Sequence, residues 1–545
     1  MPAVRFHLVP LLLFSLTGCR PDIAIDEPPA GAMLAGGEPV DVVASSSATS
    51  IEIDGQPAEK VDGAFQASVE AADGLGFVTA AHPGSGAIAA RSWHQGEFVE
   101  PGSPSAGAVR IRLGGQALSG GEHSVTGIVE SLLAGAELVG YVEDNPMTLA
   151  VIGTLTVDSA IAPLIDITLT TDGEALLLNA VLTDVVALYA ADALLWHSEG
   201  SATFAQITVS GPVEISPAGA TIGETTVVAT DPTVDDSGNL PQDVYDTMVQ
   251  LLADSIADAI ADATANATEG VVGELMAQIA PTVGIEFPRP LTQSAELTSA
   301  RVEDDALVLD YALAIAAETP IVAKADQGVL AATMAADGQG DGDAVACAGS
   351  PLLGPLAFAV WDAGNLEGIA YTREELEDRG LPELEFPYSL LTTATLTLDL
   401  PPLLVWTEGL PWLDVGGIEA TMDVGDVGTA IARTAARVPI RIAADGDDAV
   451  RLLPDPERAV ALQEIGFDQL TDLASTEQVS QVMLTAVPVV LEDVFGSLPA
   501  ATLPAFPITA LDGGSGPTVH TGIDDVLPAG DGWCLPLSLT VTPAL

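Results

Sequence analysis

The amino-acid sequence predicts a mainly β protein with long helices, of the α+β class. Residues 22–98 contain short runs of alternating apolar and polar residues, separated by turns at the spacing of a β-sandwich. After residue 108 the alternating runs become longer, and two extended stretches show apolar residues at helical spacing. A chain of 545 residues has room for several domains, and its 48% of hydrophobic residues can fill their cores.

The excess of acidic residues limits the kinds of molecule that this protein can bind. Asp and Glu total 77 against 16 Lys and Arg, a formal net charge of −61. Nucleic-acid binding needs a basic surface, which this composition does not provide, and docking on anionic lipid head groups is disfavoured for the same reason. Acidic disordered chains are poor in apolar residues. Because this chain is rich in them, we expect the charge to cover a folded surface.

Residues 1–18 have the pattern of a secretory signal peptide. Arg5 precedes an apolar segment at 8–16 that is too short to span a bilayer. The segment ends in Leu-Thr-Gly-Cys at 16–19, an order similar to the bacterial lipobox. The similarity implies cleavage before Cys19, lipidation of Cys19 and attachment to a membrane through this lipid anchor. The alternative is an ordinary cleaved signal with an incidental cysteine.

The location and the remaining cysteines follow from that interpretation. Arg20 follows the cysteine, in place of the Asp that favours inner-membrane retention in enteric bacteria, so the bacterial outer membrane is expected, on either its periplasmic or its surface side. Cys347 and Cys534 are the other cysteines. In an exported protein they can form a disulfide. The alternative is two separate buried thiols.

The mature chain begins with a predicted β-sandwich at residues 19–99. Its strands resemble those of bacterial immunoglobulin-like modules near the base of surface lipoproteins, and Asp54-Gly55 is a typical hairpin turn. The Pro/Gly/Ser-rich segment at 100–107 is predicted to be a linker.

Two larger bodies are predicted at 108–325 and 326–545. In the first, a short helix at 122–135 precedes long strands and a long helix at 241–280. One apolar stripe follows this helix, formed by Val244, Met248, Leu252, Ile256 and Ile260. In the second, a short helix at 354–368 precedes strands and a helix at 476–496, which Pro488 is expected to kink. Its apolar face includes Val479, Met483 and Val490.

Both bodies repeat one order of elements: a short helix, long antiparallel strands, a long apolar helix and a Phe-Pro exit, "GIEFP" at 284–288 and "LPAFP" at 503–507. This order resembles the tubular lipid-binding superfamily, in particular two-barrel members such as the bactericidal permeability-increasing protein. The resemblance implies two barrels, each a twisted antiparallel sheet wrapped round a long helix. It also implies a central sheet near 292–330 and an apolar pocket beside each helix. The endotoxin-binding members carry a basic barrel tip, which this acidic chain does not match.

Signals of catalysis are weak. The six histidines are scattered, and no zinc, P-loop or nucleophile-elbow motif occurs in the sequence. We therefore expect a non-enzymatic protein without a cofactor or a metal. The segment 337–343 places Asp337, Asp341 and Asp343 in a glycine-rich turn, but it has neither the frame nor the terminal Glu of an EF-hand. A solvated loop is the simpler interpretation, and calcium binding stays open.

Two hypotheses on function remain. The first is a membrane-anchored lipoprotein that binds a lipid or another hydrophobic ligand beside the long helices, through an acyl chain whose head group is neutral or screened. The second is a structural or adhesive surface lipoprotein with solid barrels and an unidentified protein partner. A continuous apolar tunnel beside 244–260 or 479–494 favours the first, and close packing there favours the second.

Overall fold

The structure is a computed structural model that describes residues 21–149, 153–193, 196–236, 242–279, 282–283, 288–323, 327–331, 343–386, 388–407, 410–469, 476–496, 501–502, 505–509, 515–529 and 532–542. Strands account for 53% and helices for 21% of it, and several sheets are curled into half-barrels. The mainly β class is therefore confirmed. The signal peptide, Cys19, Asp337 and Asp341 lie outside the described residues.

Residues 23–99 form a two-layered β structure. Its strands are β1 Ile23–Glu27, β2 Met33–Leu34, β3 Val40–Ser46, β4 Glu52–Ile53, β5 Gln56–Pro57, β6 Glu59–Val61, β7 Ala64–Val69, β8 Gly74–His82, β9 Ala87–Gln95 and β10 Phe98–Val99. One sheet has the order β1-β3-β7-β6 and the other β2-β9-β8-β4-β5. Buried Val42, Phe65 and Trp93 belong to a core that residues of both sheets share. Its assignment as immunoglobulin-like stays a prediction.

The next segment builds the first curled sheet and its helix. Its elements are β11 Ser105–Leu113, α1 Gly115–Ser119, α2 Val125–Leu133, β12 Met147–Leu149, β13 Gly153–Ile161, β14 Leu164–Asp172, β15 Ala175–Ala193, β16 Trp196–Ser216, β17 Gly219–Ile222, β18 Thr226–Thr230, β19 Thr233–Asp236, α3 Gln242–Gln278 and β20 Thr282–Val283. The sheet has the order β12-β13-β15-β16-β17, with β14 on β15, and β18 and β19 on β16. Strands β15 and β16 are 19 and 21 residues long, and helix α3 packs against this sheet.

The last segment builds the second curled sheet. Its elements are β21 Leu291–Glu303, β22 Ala306–Ala317, β23 Val329–Leu330, β24 Ala344–Gly349, α4 Ser350–Asp362, β25 Ile369–Thr372, α5 Arg373–Asp378, β26 Thr393–Leu398, β27 Leu403–Thr407, β28 Leu410–Asp423, β29 Thr429–Ala444, β30 Ala449–Pro454, β31 Ala461–Leu462, β32 Gly466–Gln469, α6 Thr476–Gly496, β33 Ala501–Thr502, β34 Phe506–Thr509, β35 Ser515–Ile523, β36 Leu527–Ala529 and β37 Gly532–Thr542. The sheet has the order β20-β33-β30-β29-β28-β26-β25, with β27 on β28, and β31 and β32 on β29. Helix α6 packs against β26, β29 and β30.

A central sheet joins the two halves in the order β21-β22-β11-β24-β37-β35-β34. It is larger than the predicted sheet near 292–330, because β11 comes from far upstream and pairs with both β22 and β24. The predicted linker at 100–107 therefore ends inside β11, which begins at Ser105. Cys347 and Cys534 face each other on β24 and β37 and are bonded.

The halves are also connected away from the central sheet. Strand β20, directly after α3, pairs with β33, directly after α6, and α3 in turn packs against β34. Of the expected exits, 284–287 and 503–504 lie outside the described residues, and Phe506 and Pro507 begin β34. The β20–β33 pairing and the packing of α3 on β34 therefore connect the two bodies directly, in addition to the central sheet.

The N-terminal β structure packs on the second body. Ser92 Oγ accepts a hydrogen bond from the backbone N–H of Gly417 at 2.6 Å, and Thr79 Oγ1 donates one to Glu464 at 3.0 Å. Gly466 lies so close to Ala90 that a Cβ would not fit between them. Strand β10 also pairs with β23. This segment is therefore docked along β28, β29 and β32.

Candidate functional site

Helix α3 carries the first predicted apolar stripe. Met248, Leu252, Ile256 and Ile260 are fully buried, whereas Val244, in the first turn, is half-buried. Side chains of the helix pair with the surrounding backbone: Glu269 accepts from Ile222 N–H at 2.6 Å, and Tyr245 donates to Val234 O at 3.1 Å. The stripe packs against α2 and the first curled sheet, so the described part of this face is core.

Helix α6 carries the second predicted face. Val479 and Met483 have no exposed surface and Val490 only 4%, while Leu484, on the opposite side, is 56% exposed. The helix continues through Pro488 to Gly496. Since proline lacks an N–H, the hydrogen bond to the carbonyl of Leu484 is absent there. The C-terminal half of α6 is thus less firmly bonded than an uninterrupted helix.

An apolar cavity lies between the C-terminal half of α6 and the second curled sheet. Helix α6 contributes one wall and β25, β26 and β28 another, and two loop positions close it. The lining side chains are Val487, Val490, Leu491, Ile369, Leu396, Leu398, Ile418, Leu366 and Pro402. Every one is aliphatic, so the cavity can interact with a ligand through hydrophobic contact alone.

The size of the cavity is small in this structure, about 20 Å³. A cavity needs about 10–15 Å³ to hold a single water molecule. An acyl chain of several carbons therefore needs the walls to separate. Ile369 and Leu398 are the half-exposed members of the lining, which places the solvent side of the cavity at β25 and the end of β26.

One of the predicted lipid-binding residues lies at this lining. Of the predicted lipid-binding residues, the structure brings Val490 to the cavity, and it places Met248, Leu252, Ile256, Ile260, Val479 and Met483 in the packed core. Val487 and Leu491 of the same helix were missed, as were all the strand residues. The only sequence signal of the strand residues is the alternation of apolar and polar residues within β25, β26 and β28. That alternation does not indicate which helix each strand faces.

Other predicted or chemically suggestive groups have structural roles. Asp343 is the described member of the Asp-rich turn, and its carboxylate accepts a hydrogen bond from Ala117 N–H at the start of α1. Among the described residues, no group of three or more His, Cys, Asp or Glu side chains is arranged to bind a metal. Burial lowers the pKa of His94 to about 3, so this histidine is neutral at physiological pH.

The described arginines mostly stabilise sheets. Arg110 and Arg301 both bind Asp310 in the central sheet. Arg437 binds Asp414 at 2.6 Å, and Arg433 binds Asp399 at 3.0 Å. These pairs neutralise one buried carboxylate, Asp414, and half-buried ones, Asp310 and Asp399, where an unpaired charge is costly. Within the described residues, no helix is long and apolar enough to be a candidate membrane span.

Comparisons with known proteins give distant structural similarities. No protein-family model and no curated protein sequence matches the chain. A lipopolysaccharide binding protein aligns with a TM-score of 0.38 and 10% identity, covering 82% of this chain and all of that one. The P47 protein of Clostridium botulinum A2 aligns with a TM-score of 0.28 and 7% identity, covering 79% and 96% of the two chains. Fibronectin(III)-like modules of Clostridium thermocellum CbhA give a TM-score of 0.12 and 10% identity, covering 39% and 92%. All three TM-scores are too low to establish a shared fold.

Proposed function

We propose that this protein is a lipid-anchored bacterial envelope protein that binds an apolar ligand between α6 and the second curled sheet. The observation that carries the proposal is the cavity at Val487, Val490 and Leu491, whose lining contains aliphatic side chains only. Such a surface favours hydrocarbon over any polar solute. Binding is passive, so it requires no catalytic group.

The energetics allow an acyl chain to open the cavity. Each buried CH₂ group contributes about 0.8 kcal/mol, so a few methylene groups offset the loss of packing between α6 and the sheet. The element best suited to move is the part of α6 around Pro488, since one main-chain hydrogen bond is absent there. The ligand is expected to displace this part of the helix from β26.

Ligand capture and a filled-cavity variant test the proposal together. Native mass spectrometry of the detergent-purified chain should show a bound lipid, and a fluorescent fatty acid should be taken up in solution. Val490→Trp fills the cavity and should abolish uptake. Leu484→Trp, on the exposed side of the same helix, is the matched control and should bind normally. Overpacking costs about 1–3 kcal/mol, so circular dichroism should confirm that both variants are folded.

The second candidate function is a scaffold with solid barrels, and the small cavity volume favours it. A cavity of about 20 Å³ is an ordinary packing defect if the walls stay fixed. This candidate predicts no co-purified lipid, no fatty-acid uptake in the wild type and a protein partner in a cross-linking experiment. Uptake that Val490→Trp leaves unchanged would refute the assigned site.

The anchor is a separate part of the proposal and rests on the sequence around Cys19. In a bacterial host, the wild type should incorporate an alkyne-labelled fatty acid and enter the membrane fraction. Cys19→Ala should lose the label and remain uncleaved or become soluble. A labelled Cys19→Ala variant, or an unlabelled wild type, would remove the lipoprotein assignment without affecting the cavity. Fractionation of inner from outer membranes tests the expected outer-membrane location.

A further inference from the structure

One cationic side chain, Arg289, lies against residues 363–365, just before the segment that lines the apolar cavity. Arg289 belongs to the segment that leaves the first body, and it lies between Pro288 and Pro290. Proline fixes its own φ and restricts the residue before it, so the backbone around Arg289 has little freedom. The position of this arginine is therefore largely set before any side-chain contact is considered.

Three hydrogen bonds attach Arg289 to the second body. The Asn365 side chain accepts from Arg289 N–H at 3.0 Å and donates to Arg289 O at 3.1 Å. Arg289 Nη1 donates to Ala363 O, just after α4, at 3.0 Å. The guanidinium packs so closely on Gly364 that a Cβ would not fit there. The residue is thus held in one place although it is exposed.

The same rim segment forms a wall of the cavity. Leu366 and Ile369 line the cavity, and Glu367 and Gly368 between them are exposed. Gly364 is two residues before Leu366, and two residues of extended chain span about 7 Å. The Arg289 guanidinium therefore lies within roughly 10 Å of the cavity wall, within reach of the head group of a molecule whose chain is inside.

The charge environment makes Arg289 suited to an anion. In the described part of the chain it forms no ion pair with a carboxylate within 4 Å, in contrast to Arg433 and Arg437. The net charge of −61 repels anions at long range, but at physiological ionic strength this repulsion is screened over about 8 Å. One carboxylate is close: the point that a Cβ on Gly364 would occupy is 2.0 Å from Arg289 Nη1 and 3.4 Å from Glu367 Oε2. An anion at Arg289 therefore has to compete with Glu367 for the guanidinium.

We infer that Arg289 binds the anionic head, carboxylate or phosphate, of a single-chain amphiphile whose hydrocarbon tail enters the cavity beside α6. This inference rests on the proposed function and sharpens it, since the sequence predicted a neutral or screened head group. The guanidinium can form two parallel hydrogen bonds with either head. Asn365 positions the arginine and does not contact the ligand.

Calorimetric titration of the full chain with three amphiphiles of equal chain length tests the inference. The ligands are a fatty acid, a lysophosphatidic acid and the uncharged fatty alcohol. The wild type should bind the two anions more tightly than the alcohol, by up to about fivefold. Arg289→Gln should reduce anion affinity to that of the alcohol and leave the alcohol unchanged. Arg289→Lys should retain part of the preference. The ratio between the fatty acid and the lysophosphatidic acid identifies the head chemistry.

The remaining outcomes separate this inference from the proposed function. If no amphiphile binds the wild type, the cavity proposal fails and the inference fails with it. If all three bind and Arg289→Gln does not alter their relative affinities, the cavity stands and the head-group assignment is overturned. An equal loss for acid and alcohol, together with a lower melting temperature, would show that Arg289 only ties the two bodies together. Asn365→Ala provides a second variant should Arg289→Gln fold poorly, and it should weaken the anion preference alone.

Discussion

The Cys347–Cys534 disulfide should contribute strongly to the stability of the chain. The two cysteines are 187 positions apart, and the bond joins β24 to β37 in the middle of the central sheet. In the chain-entropy description, closing a loop of that length removes enough freedom from the unfolded chain to stabilise the native state by about 5 kcal/mol. Strain and residual structure reduce such values in practice, so we expect a loss of about 2–5 kcal/mol in the Cys347→Ala/Cys534→Ala variant.

Urea unfolding provides the assay, with tryptophan fluorescence as the signal. Trp533 is adjacent to Cys534 and stacks on Trp406 with ring centroids 6.4 Å apart, so the emission reports on the sheet that the disulfide crosses. The oxidised wild type should unfold at higher urea than both the reduced wild type and the double variant. Reductant should leave the double variant unchanged. A difference below about 1 kcal/mol would refute the reasoning, since the unfolded chain would then gain little freedom without the bond.

Three further predictions concern ionisable and capping groups. Hydrogen bonds to Asp192 and Glu199 raise the pKa of His197. In an NMR titration, Asp192→Asn should lower this pKa more than Glu199→Gln does. The stability that protonated His197 gains from these bonds should be lost as the pH rises through the raised pKa. Burial opposes the ionisation of Asp310, but hydrogen bonds from two arginines lower its pKa. The ionised carboxylate therefore contributes to the free energy of unfolding above a pH of about 4, and this stability should be lost as the pH falls through the lowered pKa. Asp310→Asn should cost about 1–3 kcal/mol in urea unfolding. Ser124 caps α2, and Ser124→Ala should cost about 1 kcal/mol by the same assay.

Each of these predictions has a control within the chain. Asp158 is exposed on β13, and Asp158→Asn should leave the stability within about 0.5 kcal/mol of the wild type. An Asp310→Asn variant no less stable than Asp158→Asn would contradict a stabilising role for the ion pairs of Asp310 with Arg110 and Arg301. For the histidine, an unchanged pKa in both carboxylate variants would show that the hydrogen bonds are absent in solution. Ser124→Thr should retain the cap, and equal stability of the Ala and Thr variants would argue against capping.

Local patterns predicted the helices more accurately than the sheets. The prediction of 476–496 matches α6, and 241–280 is close to α3, Gln242–Gln278. The helix predicted at 354–368 lies at Ser350–Asp362 instead. Its start was missed because Pro351 is favourable in a first turn, and Gly354 and Pro355 were taken as the boundary.

The sheets depend on pairings that no local pattern contains. Strand β11 was divided between a linker and a barrel because its first residues are small and follow a Pro/Gly/Ser segment. In the structure those residues belong to a strand with partners about 200 and 240 positions downstream, as in the pairs Arg110–Asp310 and Arg110–Cys347. Small residues suit the interior of a crowded sheet as well as a linker, so composition could not distinguish the two.

The cavity illustrates a related ambiguity in apolar helices. Met483 and Val490 lie on the same predicted face of α6, yet Met483 has no exposed surface within the core and Val490 borders the cavity. The difference depends on what the sheet places opposite each residue: Leu396, Leu398 and Ile418 surround the gap. A helical stripe identifies a buried face, but only the opposing strands determine whether that face is filled.

Arg289 and Asn365, near one end of the cavity lining, would favour one orientation of a bound amphiphile, which the apolar lining alone does not. Nine aliphatic side chains would accept a hydrocarbon chain in either orientation, because hydrophobic contact has no directional preference. Arg289, held by Asn365 at one end of the lining, makes one orientation of an anionic amphiphile more favourable than the other. Under the proposed function, a chain with a net charge of −61 would bind such a ligand through one fixed cation and a desolvated tail. If Cys19 is lipidated as proposed, attachment of the whole protein to a membrane would depend on that lipid and not on surface charge.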